Sequence, residues 1–283
     1  MNRRTKATLA GTVGIALSAS TLTGLPGASG ATTVPQAIGL TSDHRLASFS
    51  VTTPERLRLL PRITRLSGDT WIVGIDYRVQ DGRLYGVGNS GGVYLLSTAG
   101  SRATKVSQLT VALSGTRFGV DFNPAADRLR VISDTGQNLR HDVNAGGVTI
   151  ADGTLTHPPL TTAAVGVSGA GYTNNDLSDA TGTTLVDLDT AADQVALQAP
   201  ANSGQLSATG KLGVDTGPAA GLDVYSDLAR GVTVSNQGFA VLNVGRRAGF
   251  YRVSPLTGDA TLEGRFPSSA RVRDIAVKLD SGR

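Results

Sequence analysis

The chain contains no cysteine, one methionine, one tryptophan, three histidines and only two glutamates, Glu55 and Glu263. Without thiols it has no disulfides, no thiolate-bound metal, no cysteine nucleophile and no lipid-modified cysteine anchor. His44, His141 and His157 share no ligand-pair spacing and no H-E-x-x-H occurs, so zinc or non-haem iron chemistry has no foothold. No strongly apolar run reaches the roughly 20 residues a membrane-spanning helix needs. No stretch combines helical periodicity with caps, which predicts few helices.

What is present is ordinary for a globular protein: 40% hydrophobic and 17% charged residues in a chain of 283. That length holds one large β domain or two ordinary ones. The N-terminus has the three-part layout of a secretory signal. Arg3, Arg4 and Lys6 precede a small, apolar stretch from Ala7 to Leu25, and Ala28-Ser29-Gly30-Ala31 offers a cleavage site. Residues 1–31 are therefore expected to be a cleaved signal and residues 32–283 the mature, secreted or cell-surface protein, with no membrane span. Arg3-Arg4 hints at twin-arginine export, but Thr5-Lys6-Ala7 lacks the bulky apolar residues that follow such a pair. Removing this leader takes three of the 26 basic residues and none of the 22 acidic ones. The remaining balance is near neutral, which argues against a nucleic-acid partner.

A repeat runs through the mature chain. An apolar strand followed by a polar turn reads Leu46-Ala-Ser-Phe-Ser, Val93-Tyr-Leu-Leu-Ser, Leu139-Arg-His-Asp-Val, Leu185-Val-Asp-Leu-Asp and Phe250-Tyr-Arg-Val-Ser. A second phrase, Gly74-Ile-Asp-Tyr-Arg with Arg83-Leu-Tyr-Gly-Val, returns as Gly119-Val-Asp-Phe-Asn with Arg128-Leu-Arg-Val-Ile. Gly221-Leu-Asp-Val-Tyr repeats its first half and Arg273-Asp-Ile-Ala-Val approximates it. A unit is then about four short strands, the size of a propeller blade. The first unit lacks a leading strand and the chain ends on a lone one, Val272 to Leu279. Pairing the two closes a ring and leaves no exposed edge there. The fold class expected is an all-β propeller of about five four-stranded blades. The third unit, Thr161 to Leu212, is hard to phase, so six blades or an open solenoid stay open, as does a pair of β-sandwiches.

The stretch from Phe118 to Arg140, FGVDFNPAADRLRVISDTGQNLR, resembles the signature of a bacterial family known as domain of unknown function 4394. Gly171-Tyr-Thr-Asn-Asn175, Gly74 to Arg78 and Arg83 to Gly86 fit the same family. The resemblance implies an exported, repeat-built β protein and supplies no catalytic residue. The spacing through Gly238 to Arg247 departs from it.

Several motifs reduce to turns. Gly88-Asn-Ser-Gly-Gly92 matches G-x-S-x-G, but Val93-Tyr-Leu-Leu follows where a nucleophile elbow needs a helix. Asp187, Asp189 and Asp193 lack the fifth-position oxygen and distant glutamate of a calcium loop and are read as turn residues. Two patterns remain. Asp76, Asp121 and Asp223 occupy one position of three leading strands, with Asp274 close to it in a fourth. Leading strands line a propeller's channel, where grouped carboxylates would call for a counter-ion. Taken as second-to-third-strand loops of one face, Asn89-Ser90, Ser133 to Asn138 and Thr173 to Gly182 collect Asp134, Asn138, Asn174 and Asn175, with Tyr172 beside them. Asn123 ends the motif strand carrying Asp121. Amides, carboxylates and an aromatic suit a small polar ligand or glycan, although Asn, Asp and Gly populate turns everywhere.

The expected function is a binding module presenting a polar propeller face to a small ligand, a glycan or an envelope protein. It needs no cofactor, though a divalent cation such as calcium is compatible with the aspartates. A hydrolase or lyase using the channel aspartates, and a purely structural envelope protein, are the alternatives.

Overall fold

The structure is a computed structural model and describes residues 34–245 and 247–282; the leader, Met1 to Ala31, lies outside the described residues. Twenty strands pair into five antiparallel sheets of four, with two short 3-10 turns at Pro54–Arg56 and Ala201–Ser203. The first blade takes β1 (Gln36–Thr41), β2 (Arg45–Ser50) and β3 (Arg58–Arg62), and its remaining strand is β20 (Val272–Val277). The second holds β4 (Ile72–Arg78), β5 (Arg83–Gly88), β6 (Gly92–Leu96) and β7 (Ala103–Gln108). The third holds β8 (Phe118–Asn123), β9 (Arg128–Ser133), β10 (Asn138–His141) and β11 (Thr149–Ala151). The fourth holds β12 (Val167–Tyr172), β13 (Leu185–Asp189), β14 (Gln194–Gln198) and β15 (Leu206–Lys211). The fifth holds β16 (Gly221–Ala229), β17 (Val232–Val244), β18 (Arg247–Val253) and β19 (Ala260–Arg265).

The leading strands β20, β4, β8, β12 and β16 neighbour one another in that order and return to β20. This is a five-bladed β-propeller, and the ring closes as the lone terminal strand requires. β20 pairs antiparallel with β1, placing Ala37 opposite Val277 and Ile38 opposite Ala276. The last strand of the chain thereby becomes the inner strand of the first blade, and β1 is left with no free edge.

Each junction between blades carries its own apolar core. Ile38, Leu46 and Leu60 of the first blade pack with Ile75, Leu84 and Tyr94 of the second. Tyr85 and Val93 pack with Phe122 and Leu129 across the next junction. Ile132 meets Tyr172 and Leu185, Val186 and Leu188 meet Leu222 and Leu242, and Phe239 and Phe250 close the ring onto Phe49 and Ile275. Because an inner strand is covered on both faces, β4, β8 and β12 are buried almost throughout. Their glycines let the strands approach. A Cβ on Gly119 would lie 2.7 Å from the backbone of Gly169 and Ala170.

The fourth blade corrects the sequence reading. Leu185-Val-Asp-Leu-Asp is its second strand, β13, not its third. The connection from β12 to β13 spans residues 173–184, whereas the equivalent turns are residues 79–82, 124–127 and 230–231. That insertion moves β13 to the spacing expected of a third strand, and the following interval lengthens to compensate. The segment Thr173 to Gly182 is consequently a first-to-second connection. Successive strands alternate in direction, so it leaves the opposite end of its blade from Asn89-Ser90 and the Ser133 to Asn138 turn. The irregular spacing through Gly238 to Arg247 has a similar origin: β16 and β17 form a hairpin of 9- and 13-residue strands, longer than any other.

Candidate functional site

The inner strands share a register that places the aspartates. Gly74-Ile75-Asp76, Gly119-Val120-Asp121 and Gly221-Leu222-Asp223 follow one Gly-x-Asp pattern, and Gly169-Ala170-Gly171 replaces the acid in the fourth blade. Each carboxylate accepts the backbone N–H of the residue one position further along the neighbouring inner strand. Phe122 donates to Asp76 Oδ2 at 2.8 Å and Tyr172 to Asp121 Oδ1 at 3.0 Å. Val277 donates to Asp223 Oδ2 and Ile75 to Asp274 Oδ2 at 2.8 Å. By that register Ala276 is the partner of the other three aspartates, and Asp274 lies two residues before it. Two residues along a strand keep the same face, so Asp274 enters the channel one level away, among glycines. A Cβ on Gly221 would stand 2.4 Å from Asp274 Oδ1, and one on Gly74 3.4 Å from Asp274 Oδ2.

One oxygen from each of Asp76, Asp121 and Asp223 lies within 4.8 Å of the other two. All three residues, and Asp274, are buried. Burial, and then the charge of Asp223, hold the Asp76 carboxyl well above the ordinary range. Burial with Asp76 and Asp223 does the same to Asp121. Burial pushes Asp223 up to about 6 and Asp274 up to about 7, the latter despite the nearby Arg273 guanidinium. Carboxyls so placed hold either protons or a shared cation.

The loop residues have structural partners. Asp134 accepts from the Thr116 N–H at 2.8 Å and hydroxyl at 2.6 Å. Asn123 Oδ1 caps its own turn, accepting from Ala126 N–H at 2.8 Å. Asn174 exchanges hydrogen bonds with Asn236, and Asn175 Nδ2 donates to Val224 O at 2.7 Å. Asn138 bonds Arg130 at 2.7 Å and the Gly153 and Ala201 carbonyls at 2.9 and 3.1 Å. Tyr172 Oη accepts from Arg130 Nε at 3.2 Å. The structure thus gathers Asp76, Asp121 and Asp223. It places Asn123, Tyr172, Asn174 and Asn175 at one end of their blades, and Asp134 and Asn138 at the other.

Sequence reasoning missed the polar junction between the third and fourth blades. Arg130, 3% exposed, bonds Tyr172, Asn138, Asp152 and Asn202. Asp187 is not a turn residue: it sits mid-strand in β13, fully buried, and neither oxygen has a hydrogen-bond partner among the described residues. Burial raises its pKa well above normal, partly offset by Arg130. Asp189 does cap the following turn, accepting from Ala191 and Ala192. Also missed was a serine–histidine contact. Ser107 Oγ lies 2.8 Å from His141 Nε2, and His141 Nδ1 lies 3.0 Å from Thr149 Oγ1. His141 is fully buried and joins β7 to β10 and β11, which makes the set a clamp between blades. Ser90 sits in the β5–β6 turn, its N–H held by Asp69.

Fold and channel together define a five-bladed β-propeller built around buried carboxylates. The chain belongs to the family described as domain of unknown function DUF4394, matched over residues 45–276. No curated protein is similar to it. Among solved structures it is similar to PorZ, a surface component of the type-IX secretion system of Porphyromonas gingivalis. That likeness has 20% identity and a TM-score of 0.38, over 78% of this chain and 26% of the other. A protein from Lactobacillus plantarum gives 15% identity and the same TM-score, 0.38, over 82% of this chain and 66% of its own. The chain thus spans about a quarter of the first neighbour's length and just under two thirds of the second's.

Proposed function

We propose that this chain is an exported binding module whose channel carboxylates, Asp76, Asp121 and Asp223, hold a divalent cation such as calcium. The observation that carries the reading is the convergence of three carboxylate oxygens within 4.8 Å. Calcium is bound by several oxygen ligands with flexible geometry, which one oxygen from each of three blades would begin to supply. Among the described residues none of the three carboxylates forms an ion pair with a lysine or arginine. Export is supported by the layout of residues 1–31, and small-ligand or glycan binding remains a role for the blade ends.

A thermal-shift experiment on the full chain tests the cation. Calcium at a hundredfold excess over its dissociation constant stabilises by about 2.7 kcal/mol, and the melting temperature rises accordingly. The shift is expected to vanish in Asp76→Asn and Asp121→Asn, which remain folded. A flat response of the wild type, with both variants more stable than it, would leave the carboxyls as buried acids held by protons. Turnover of a glycoside or ester lost in the same variants would instead favour the hydrolase reading.

A further inference from the structure

At the end of the channel nearest Asp274 the charge reverses. A concavity of about 450 Å³ is lined by Arg117, Arg247, Arg271 and Arg273 together with Asn243 and Ser42, and no carboxylate lines it. Three separate parts of the chain supply these guanidiniums: the residue before β8, the start of β18, and the stretch that enters β20, which carries both Arg271 and Arg273. None of the four makes an ion pair among the described residues. Arg117 and Arg273 each bury an Nε that has no hydrogen-bond partner there. Their remaining bonds go to backbone carbonyls, from Arg117 to Thr116 and from Arg273 to Ile72. Beside them, His44 buries an unpartnered Nδ1 and stacks on Trp71, the chain's only tryptophan, with ring centroids 6.1 Å apart. Trp71 is 40% exposed. His44 stands in the left-handed region at φ 64°, a conformation that persists where surrounding structure enforces it.

We propose that this arginine-lined mouth is a binding site for a small anion of at least two negative charges, a phosphate monoester or a polycarboxylate. Guanidinium forks match carboxylate and phosphate oxygens two at a time, and clustered arginines are the usual recognition device for both. The four guanidiniums that line the concavity offer paired N–H donors to such oxygens, whereas a monovalent halide offers no matching geometry. The positive charge is also crowded. Burial lowers the Arg273 pKa and the Arg117 guanidinium lowers it further, with Asp274 acting in the opposite direction. A bound dianion relieves that repulsion. The volume fits a compact metabolite-sized ligand rather than a polymer. The proposal is independent of the cation in the channel.

Calorimetric titration of the full chain with inorganic phosphate, glucose 6-phosphate and citrate, against glucose and against sodium chloride of equal ionic strength, tests it. Saturable binding of the dianions and none of glucose is expected. Tighter binding of the phosphates would assign a phosphate ligand, and tighter binding of citrate a carboxylate one. Arg117→Gln with Arg271→Gln is expected to weaken affinity at least tenfold, and so is the exposed pair Arg247→Gln with Arg271→Gln, which leaves the buried side chains in place. Arg83→Gln with Arg102→Gln, in the separate basic groove between the first two blades, is expected to change affinity less than twofold. The assignment is overturned by a response no larger than that to chloride, or by loss of binding in the Arg83 and Arg102 pair alone.

Discussion

A buried aspartate reads differently from an exposed one, and the channel shows by how much. Asp274 and Asp223 titrate in the native protein near 7 and 6, against 3.8 when unperturbed. The native state therefore binds more protons than the unfolded chain between about pH 4 and pH 7, so stability falls as pH rises through that window. Each group contributes a slope of up to about 1.4 kcal/mol per pH unit. With a chelator present, urea denaturation at pH 4.5 and 7.5 is expected to show this loss, and Asp274→Asn to reduce it. An unchanged slope in that variant would mean that Asp274 is not the group titrating. The repeat reveals Asp76, Asp121 and Asp223 in the sequence because all three follow Gly-x-Asp. Asp274 is legible only approximately, because it occupies the glycine level of that pattern. Asp187 is not legible: its neighbours Asp189 and Asp193 are turn residues, and only the pairing of β13 with β12 and β14 shows that it points into a junction.

At the level of strands, regular blades are readable and the irregular one is not. Blades two and three repeat the same turns at the same offsets, with Gly82 and Asp127 at the matching left-handed positions, φ 66° and 50°. The fourth blade carries its insertion in the first turn, so counting residues misassigns β13 by one strand and sends Tyr172, Asn174 and Asn175 to the wrong end. Side-chain chemistry could not have corrected this, since Asn and Thr suit either turn. The inner strands make a sharper claim. Because the β8 and β12 backbones meet at Gly119, Gly119→Ala is expected to destabilise the protein by about 1–3 kcal/mol through overpacking. Gly100→Ala, at a turn where an added Cβ meets nothing within 4 Å, is expected to stay within about 0.5 kcal/mol of wild type. Equal effects in urea melts would contradict the close approach of these strands.

Taken whole, the molecule is a ring that converts sequence-distant repeats into one axis. Residues 76, 121 and 223 meet only because β20 completes the first blade and the ring returns on itself. Along that axis acids give way to arginines at one mouth, and each feature is assembled from several blades. The proposed cation would replace protons on the channel carboxylates. Calcium titration by calorimetry at pH 6, repeated in buffers of different ionisation enthalpy, measures that exchange directly. Binding to a site whose carboxyls are protonated must release protons. One site with net proton release, abolished in Asp121→Asn, is the predicted result. Calcium heats that are absent, or that are independent of buffer and persist in Asp121→Asn, would contradict it.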